Sequence, residues 1–167
     1  MDAMESILTR RSIRKYTAQP VPEDAIDGLL RAAMSAPSAG NQQDWYFVVV
    51  HNAQTLAELA QVHSHAPLNG ASLAILVCGD LKRETHQGFW QQDCAAATQN
   101  LLLAAHAMGL GAVWCGCYPR EERVAGLRKV LRLPEHIVPL ALVVIGYPAE
   151  KKERADRYDL AKVMVIS

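Results

Sequence analysis

Gly109-Leu110-Gly111-Ala112-Val113-Trp114-Cys115-Gly116 follows an Ala-rich segment of helical pattern and continues into residues that suit a strand. That order decides the fold class. A dinucleotide fingerprint requires a strand, a turn with three glycines and then a helix whose N-terminus meets a pyrophosphate. Here the helix comes first, the strand follows, and the third glycine is missing, which argues against a Rossmann site. Gly109 instead has the position of a glycine that ends a helix. The chain also has no Gly-rich loop ending in Lys-Ser or Lys-Thr. Any nucleotide-like ligand must therefore be held by side chains.

Upstream of Gly109, the segment Phe89 to Met108 reads as the long helix of the chain. Ala95, Ala96, Ala97, Ala104 and Ala105 put small residues on several of its faces, so the helix is expected in a core or across a subunit interface. Asp93 and Asn100 lie on one face of it and need hydrogen-bond partners, which favours core bonding over catalysis. Downstream, Arg120 to Leu131 reads as an amphipathic helix and Val138 to Gly146 as a central strand. In the N-terminal half, residues 4–10 form a short helix with Asp2 available as a cap. Val21-Pro22-Glu23-Asp24 opens a second helix, because proline suits a first turn and acids suit its positive end. Ile26, Leu29, Leu30 and Ala33 keep helical spacing until Pro37. Tyr46 to His51 reads as a strand, Ala53 to Val62 as a helix, His63 to Gly70 as a loop and Ser72 to Cys78 as a strand. Val163-Met164-Val165-Ile166 offers a last segment able to pair with a sheet edge. The class is α+β, a sheet with helices on both sides.

At 167 residues, half of them hydrophobic, the chain is expected to form a single domain with a substantial core. Seventeen basic residues balance seventeen acidic ones, so no global field recruits nucleic acid or anionic lipid. Met1 to Thr9 has neither the basic start nor the apolar core of a signal peptide. No apolar run is long enough to span a bilayer as a helix. Cys78, Cys94, Cys115 and Cys117 lack a framework of spacings and read as buried free thiols in a reducing compartment. Cytoplasm is the expected location.

Two segments carry candidate chemistry. Arg10, Arg11, Ser12 and Arg14 concentrate guanidinium forks and a hydroxyl where a phosphate can sit. Ile13 would serve as an inward anchor that lets these polar residues share one outward concavity. The same residues also fit a plain solvated basic turn. The second segment is Ser35-Ala36-Pro37-Ser38-Ala39-Gly40-Asn41-Gln42-Gln43-Asp44-Trp45. Together with Gly109 to Gly116 and Gly146-Tyr147-Pro148, these motifs stand in an order that resembles the nitroreductase family of FMN-dependent oxidoreductases, from about Met4 to Tyr158.

The resemblance implies a central, mostly antiparallel sheet flanked by helices, in a homodimer with FMN at the subunit interface. It implies that Arg10, Arg11, Ser12 and Arg14 grip the flavin phosphate and ribityl chain, with Arg14 toward the N1/O2 side of the ring. Pro37, Ser38, Ala39 and Asn41 would be donated by the partner subunit to cover the ring. Trp114, Cys115 and Gly116 would line the flavin, and the backbone at Gly116 and Cys117 would support its N5 atom. Arg157 would return to the phosphate from the tail, with Arg154 as the fallback, and residues 149–167 would wrap the partner. Phe89 and Trp90 are candidate walls of a substrate slot. The implied activity is hydride transfer from NAD(P)H to a small electron-poor acceptor, such as a nitroaromatic or a quinone. Donor and acceptor would use one slot in turn, with no side-chain acid or nucleophile. One departure stands out: where the family has Gln-Pro-Trp, this chain has Gln43-Asp44-Trp45.

Other readings remain open at this level. A non-catalytic flavin or phosphate-ligand module would use the same residues, and reductive dehalogenation or flavin breakdown would fit the same fold. A basic arm for nucleic acid, from Arg10 to Lys15, lacks interleaved exposed aromatics. Gly116 by itself also suits a bulge at a strand end. Cys115 and Cys117 are too close along a strand for Cys-x-x-Cys chemistry. His63-x-His65 lacks the partners of a metal site.

Overall fold

The computed structural model of the protein describes residues 1–166; Ser167, the last residue of the expected tail, lies outside them. Its elements are α1 (Ala3–Thr9), α2 (Glu23–Met34), β1 (Trp45–Val50), α3 (Ala53–Val62), β2 (Leu73–Asp80), α4 (Trp90–Ala107), β3 (Gly111–Gly116), α5 (Glu121–Leu131) and β4 (Ile137–Gly146). Short 3₁₀ turns lie at Ala39–Asn41 and Leu160–Lys162.

Local chemistry explains the boundaries. Asp2 caps α1, its Oδ1 accepting from the Glu5 N–H at 2.9 Å, as its position in the sequence predicts. Asn52 caps α3 in the same way through the Thr55 N–H at 3.0 Å. The first turn of α4 is held from a distance by Glu84, whose Oε1 accepts from the N–H groups of Gly88, Phe89 and Trp90 at 2.7, 3.2 and 3.3 Å. An acid there also suits the helix dipole. Gly109 ends α4 with φ +77°, and the Leu110 N–H reaches back to the Ala105 carbonyl at 2.8 Å.

The four strands form one antiparallel sheet in the order β1-β2-β4-β3. The expectation of a mostly antiparallel sheet holds, with β4 in the middle. Alternation along the central strands sorts the core into two layers. Leu73, Ile75, Val77, Ala141, Val143 and Ile145 face a cluster built with α2 and α4. Ala74, Leu76, Cys78, Leu142 and Val144 face the opposite cluster, built with α3 and α5. Both faces are therefore covered, which is why β2 and β4 read as continuous apolar runs.

The β2–β4 ladder slips between Val77 and Cys78: Val77 pairs with Ala141 but Cys78 with Pro139, leaving Leu140 as the extra residue. Pro139 has no N–H to give a ladder, and a bulge is where a strand tolerates it. The Leu140 carbonyl instead accepts from the N–H groups of Cys117 and Tyr118 at 2.9 and 3.2 Å, where β3 ends.

Two sequence expectations need adjustment. Val163 to Ile166 form no strand; these residues are exposed, Ile166 by 90%, and pair with no sheet edge. Trp90 is buried rather than lining an open slot: its ring packs edge-on against Tyr118 at 5.0 Å and fills the space a side chain at Gly79 would take. Phe89 remains exposed. No helix among the described residues is long and apolar enough to cross a membrane.

Candidate active site

The residues after α1 run alongside the start of β3. The Ile13 N–H donates to the Ala112 carbonyl at 3.0 Å, and Ser12 bridges Ala112 in parallel sense. Farther on, Tyr16 pairs with Pro148, and its hydroxyl donates to the carbonyls of Ile13 at 2.6 Å and Val144 at 3.1 Å. The basic segment is thereby fixed to the sheet rather than left as a solvated turn.

Arg10 and Arg11 line a cavity of about 590 Å³ together with Ile7, Leu8, Arg154 and Arg157. The tail returns to the N-terminal cluster, and the Arg11 Nη1 donates to the Glu153 carbonyl. Burial lowers the Arg10 guanidinium below its ordinary value, and the charges of Arg157 and Arg11 add to the effect. Cations massed against one another in a concavity are strained electrostatically until an anion enters. The cavity thus brings together Arg10, Arg11, Arg154 and Arg157, both tail candidates included.

Ser12 and Arg14 do not line this cavity. The four residues therefore do not share the single concavity expected of them. The Arg14 N–H donates to Glu150 Oε1 at 2.5 Å. The charge of Arg14 is felt at Cys115: burial pushes that thiol up to about 11, against the opposing pull of Arg14 and Arg123. Burial pushes the Cys117 thiol up to about 12, so neither is a ready nucleophile.

The edge of β3 opposite β4 carries the remaining chemistry. Because Ala112 turns its carbonyl outward to Ile13 and Cys117 turns its N–H inward to Leu140, the alternation leaves Trp114 and Gly116 facing outward. Trp114 and Gly116 are exposed, whereas the Cys115 and Cys117 side chains are buried. A side chain built on Gly116 would meet nothing within 4 Å, so a flat ligand could approach the bare backbone there. The Gly116 carbonyl accepts from Arg123 Nη1 at 2.8 Å and meets His63 Nε2 at 3.0 Å.

The Pro37 to Asn41 loop lies on none of the walls just described. Its backbone is held from within the subunit. Gly40, Asn41 and Gln43 all have positive φ, near +50°. The Ser38 Oγ accepts from the Gln43 N–H at 3.0 Å, and Asn41 Oδ1 from the Gln43 amide at 2.9 Å. Asp93 accepts from the Ala39 N–H at 3.0 Å, so its expected role in core bonding is met, as is that of Asn100, which donates to the Ala32 carbonyl at 3.1 Å.

Gln42 ties this loop to the core. Its Nε2 donates to Asp44 at 3.0 Å and to Asp93 at 2.7 Å, and its Oε1 accepts the N–H groups of Thr85 and His86, both at 2.9 Å. Asp44 is fully buried, and one of its oxygens has no partner. Burial first, and then the Asp93 charge, push the Asp44 carboxyl up to about 6. Sequence reading passed over Gln42 and Arg123 and weighed His63 only as a metal ligand; nothing in Asn41-Gln42-Gln43 or in His63-x-His65 marks a hub.

Comparison with known proteins identifies the family and the fold. The chain matches the nitroreductase family over residues 7–68 and 62–147. A Methanothermobacter thermautotrophicus protein named "Putative NADH dehydrogenase/NAD(P)H nitroreductase" is 49% identical over 160 residues, covering 95% of this chain and 84% of that protein. An FMN-dependent nitroreductase from Clostridium difficile superposes with a TM-score of 0.90 at 29% identity, covering 98% of this chain and 99% of that one. A "putative nitroreductase in complex with fmn" from Desulfovibrio desulfuricans superposes with a TM-score of 0.85 at 31% identity, covering 100% of this chain and 98% of that one. The fold and the site define an α+β oxidoreductase of the flavin-binding type. This chain belongs to the nitroreductase family.

Proposed function

We propose that this protein is an FMN-dependent oxidoreductase that takes a hydride from NAD(P)H and passes it to a small electron-poor acceptor such as a nitroaromatic or a quinone. The observation that carries the reading is the cavity in which Arg10 and Arg11 meet Arg154 and Arg157, together with a strand edge left bare at Gly116. The residues fit FMN: a desolvated cation cluster suits a phosphate dianion, and the open backbone suits a flat ring. FMN, when bound, supplies the hydride relay.

The rest is positional. Arg10, Arg11 and Arg157, with Arg154 beside them, hold the phosphate, and Ser12 takes the ribityl side. Arg14 faces the N1/O2 side of the ring. Gly116 offers its backbone to the N5 edge, with Trp114, Cys115 and Cys117 setting the strand on either side. No side chain of the site is asked to move a proton. Donor and acceptor occupy the same slot in turn.

Our reading includes a homodimer in the cytoplasm, with two FMN sites at the interface. Pro37, Ser38, Ala39 and Asn41 of one copy cover the FMN of the other, and residues 149–167 wrap the partner around a single domain. Support comes from the tail itself, where Tyr158, Leu160, Met164, Val165 and Ile166 are each at least 70% exposed. A contiguous apolar segment of this kind calls for a covering surface. The purified protein should be a yellow dimer that NADH or NADPH bleaches under nitrogen and an added quinone recolours. A protein that binds no added FMN, or a stable monomer holding one FMN per chain in light scattering, would overturn the respective half of this reading.

A further inference from the structure

We propose that His63 and Arg123 are positioning residues that clamp the Gly116 peptide and hold the strand edge in register for hydride transfer; this rests on the reading of Gly116 given above. The two side chains come from different helices. His63 caps the end of α3, its N–H donating to the Leu59 carbonyl at 2.9 Å. Arg123 lies in the first turns of α5. Both converge on one carbonyl oxygen, with Arg123 Nη1 at 2.8 Å and His63 Nε2 at 3.0 Å.

A carbonyl oxygen has two lone pairs, and these two donors use both. On the other side of the same peptide, the Cys117 N–H donates to the bulged Leu140 carbonyl at 2.9 Å. The Gly116–Cys117 peptide is thus fixed at its oxygen and at its nitrogen. Glycine is the residue that most needs such restraint, because it has no Cβ to limit its backbone. Its own N–H, on the outward edge of β3, can keep one direction only while this neighbouring peptide stays put.

The histidine is specialised for this contact. It is 2% exposed, and since a carbonyl can only accept, Nε2 carries the proton. Nδ1 is left buried without a partner. A buried polar atom without a partner is a standing penalty, retained here beside a contact that a plain apolar residue could not make. Burial lowers the tendency of the ring to take a second proton, and the facing charges of Arg123 and His65 act in the same direction, against the Gly116 contact.

The test compares His63→Leu, which removes the donor, with His63→Gln, which keeps one at a similar reach, and with Arg123→Met on the half-buried helix surface. Amide hydrogen exchange at Cys117, whose N–H is the bonded one of this peptide, read by NMR on the flavin-free protein, is expected to quicken at least about tenfold in His63→Leu and Arg123→Met, as loss of one such bond implies. His63→Gln should restore protection. With FMN added, the affinity should stay within about threefold of wild type, since the phosphate grip is elsewhere, while flavin reduction by NADH slows by at least about tenfold. Exchange unchanged in both His63→Leu and Arg123→Met would overturn the clamp. Should wild-type protein bind no FMN, the functional reading falls, and the exchange data still decide the clamp. If His63→Leu fails to fold, Arg123→Met carries the comparison alone.

Discussion

Gly111 lies directly against Ile13. A Cβ built on Gly111 would sit 2.7 Å from Ile13 Cγ2 and 2.8 Å from Ile13 Cβ. Contacts that short, against a stiff β-branched side chain near its own backbone, cannot be relieved by swinging a flexible end away. The glycine therefore sets how closely the basic segment approaches β3, and with it where Arg11, Ser12 and Arg14 stand. Gly111→Ala should destabilise the protein by about 1–3 kcal/mol, in line with overpacking elsewhere, and weaken FMN binding as well. Thermal unfolding and fluorescence titration with FMN would check the two effects. Wild-type values in both would mean that Ile13 does not anchor the cluster.

Gly116 should behave in the opposite way. A side chain there meets nothing within 4 Å, and its φ is not in the left-handed region. Gly116→Ala and Gly116→Val should therefore fold with an unchanged Tm. In the FMN-loaded protein they should slow flavin reduction by about 10²–10³, the usual loss for one misplaced donor at an organised site. Stopped-flow reduction at wild-type speed would make Gly116 a structural glycine only.

Arg10 and Arg157 repel one another without an anion between them. Arg157→Ala should accordingly raise the Tm of flavin-free protein slightly while weakening FMN by at least about tenfold, the worth of one charge-assisted bond. Arg10→Ala should weaken FMN to a similar degree. Calorimetry with and without FMN would read both quantities. Unchanged FMN affinity in the two variants would dismiss the phosphate assignment.

The buried Asp44 carboxyl gives the fold a dependence on pH. Its folded-state pKa, about 6, lies above the ordinary aspartate value, so the folded chain holds the proton more tightly than the unfolded chain. Its contribution to stability is thus fully present below about pH 4 and is lost as pH rises through about 6. Asp44→Asn removes the titration. Relative to wild type, the Tm of the variant should rise between about pH 4 and pH 6 and run parallel above pH 7. A Tm difference that stays flat across this range would show that the Gln42 amide already compensates the charge.

Much of this was legible in the residues. Asp2, Pro22 and Gly109 marked helix ends because each acts on its immediate neighbours, and the strands announced themselves as apolar runs. Trp90 misled, since an aromatic at a helix start looks the same whether it meets a ligand or fills the gap above Gly79. Val163 to Ile166 misled too, because strand composition does not supply a strand partner. The Leu140 bulge was hidden, since Pro139 signals that something must yield in β4 but not which carbonyl is set free. The return of Arg154 and Arg157 to Arg10 depends on a long-range path that local spacing does not encode. The convergence of His63 and Arg123 on Gly116 is of the same kind, being made only when α3 and α5 pack on one face of the sheet.

The outward edge of β3 has a bearing on how the protein survives in a crowded solution. Beyond the stretch guarded by Ser12 and Ile13, Arg123 and His63 occupy the Gly116 carbonyl, while the exposed backbone at Trp114 and the Gly116 N–H stay uncovered. An edge of that sort is a template on which a stray strand from another chain can dock. A ligand lying across it would serve as a stopper as well as a reagent. Chains without that ligand would then be the ones most open to edge-to-edge pairing.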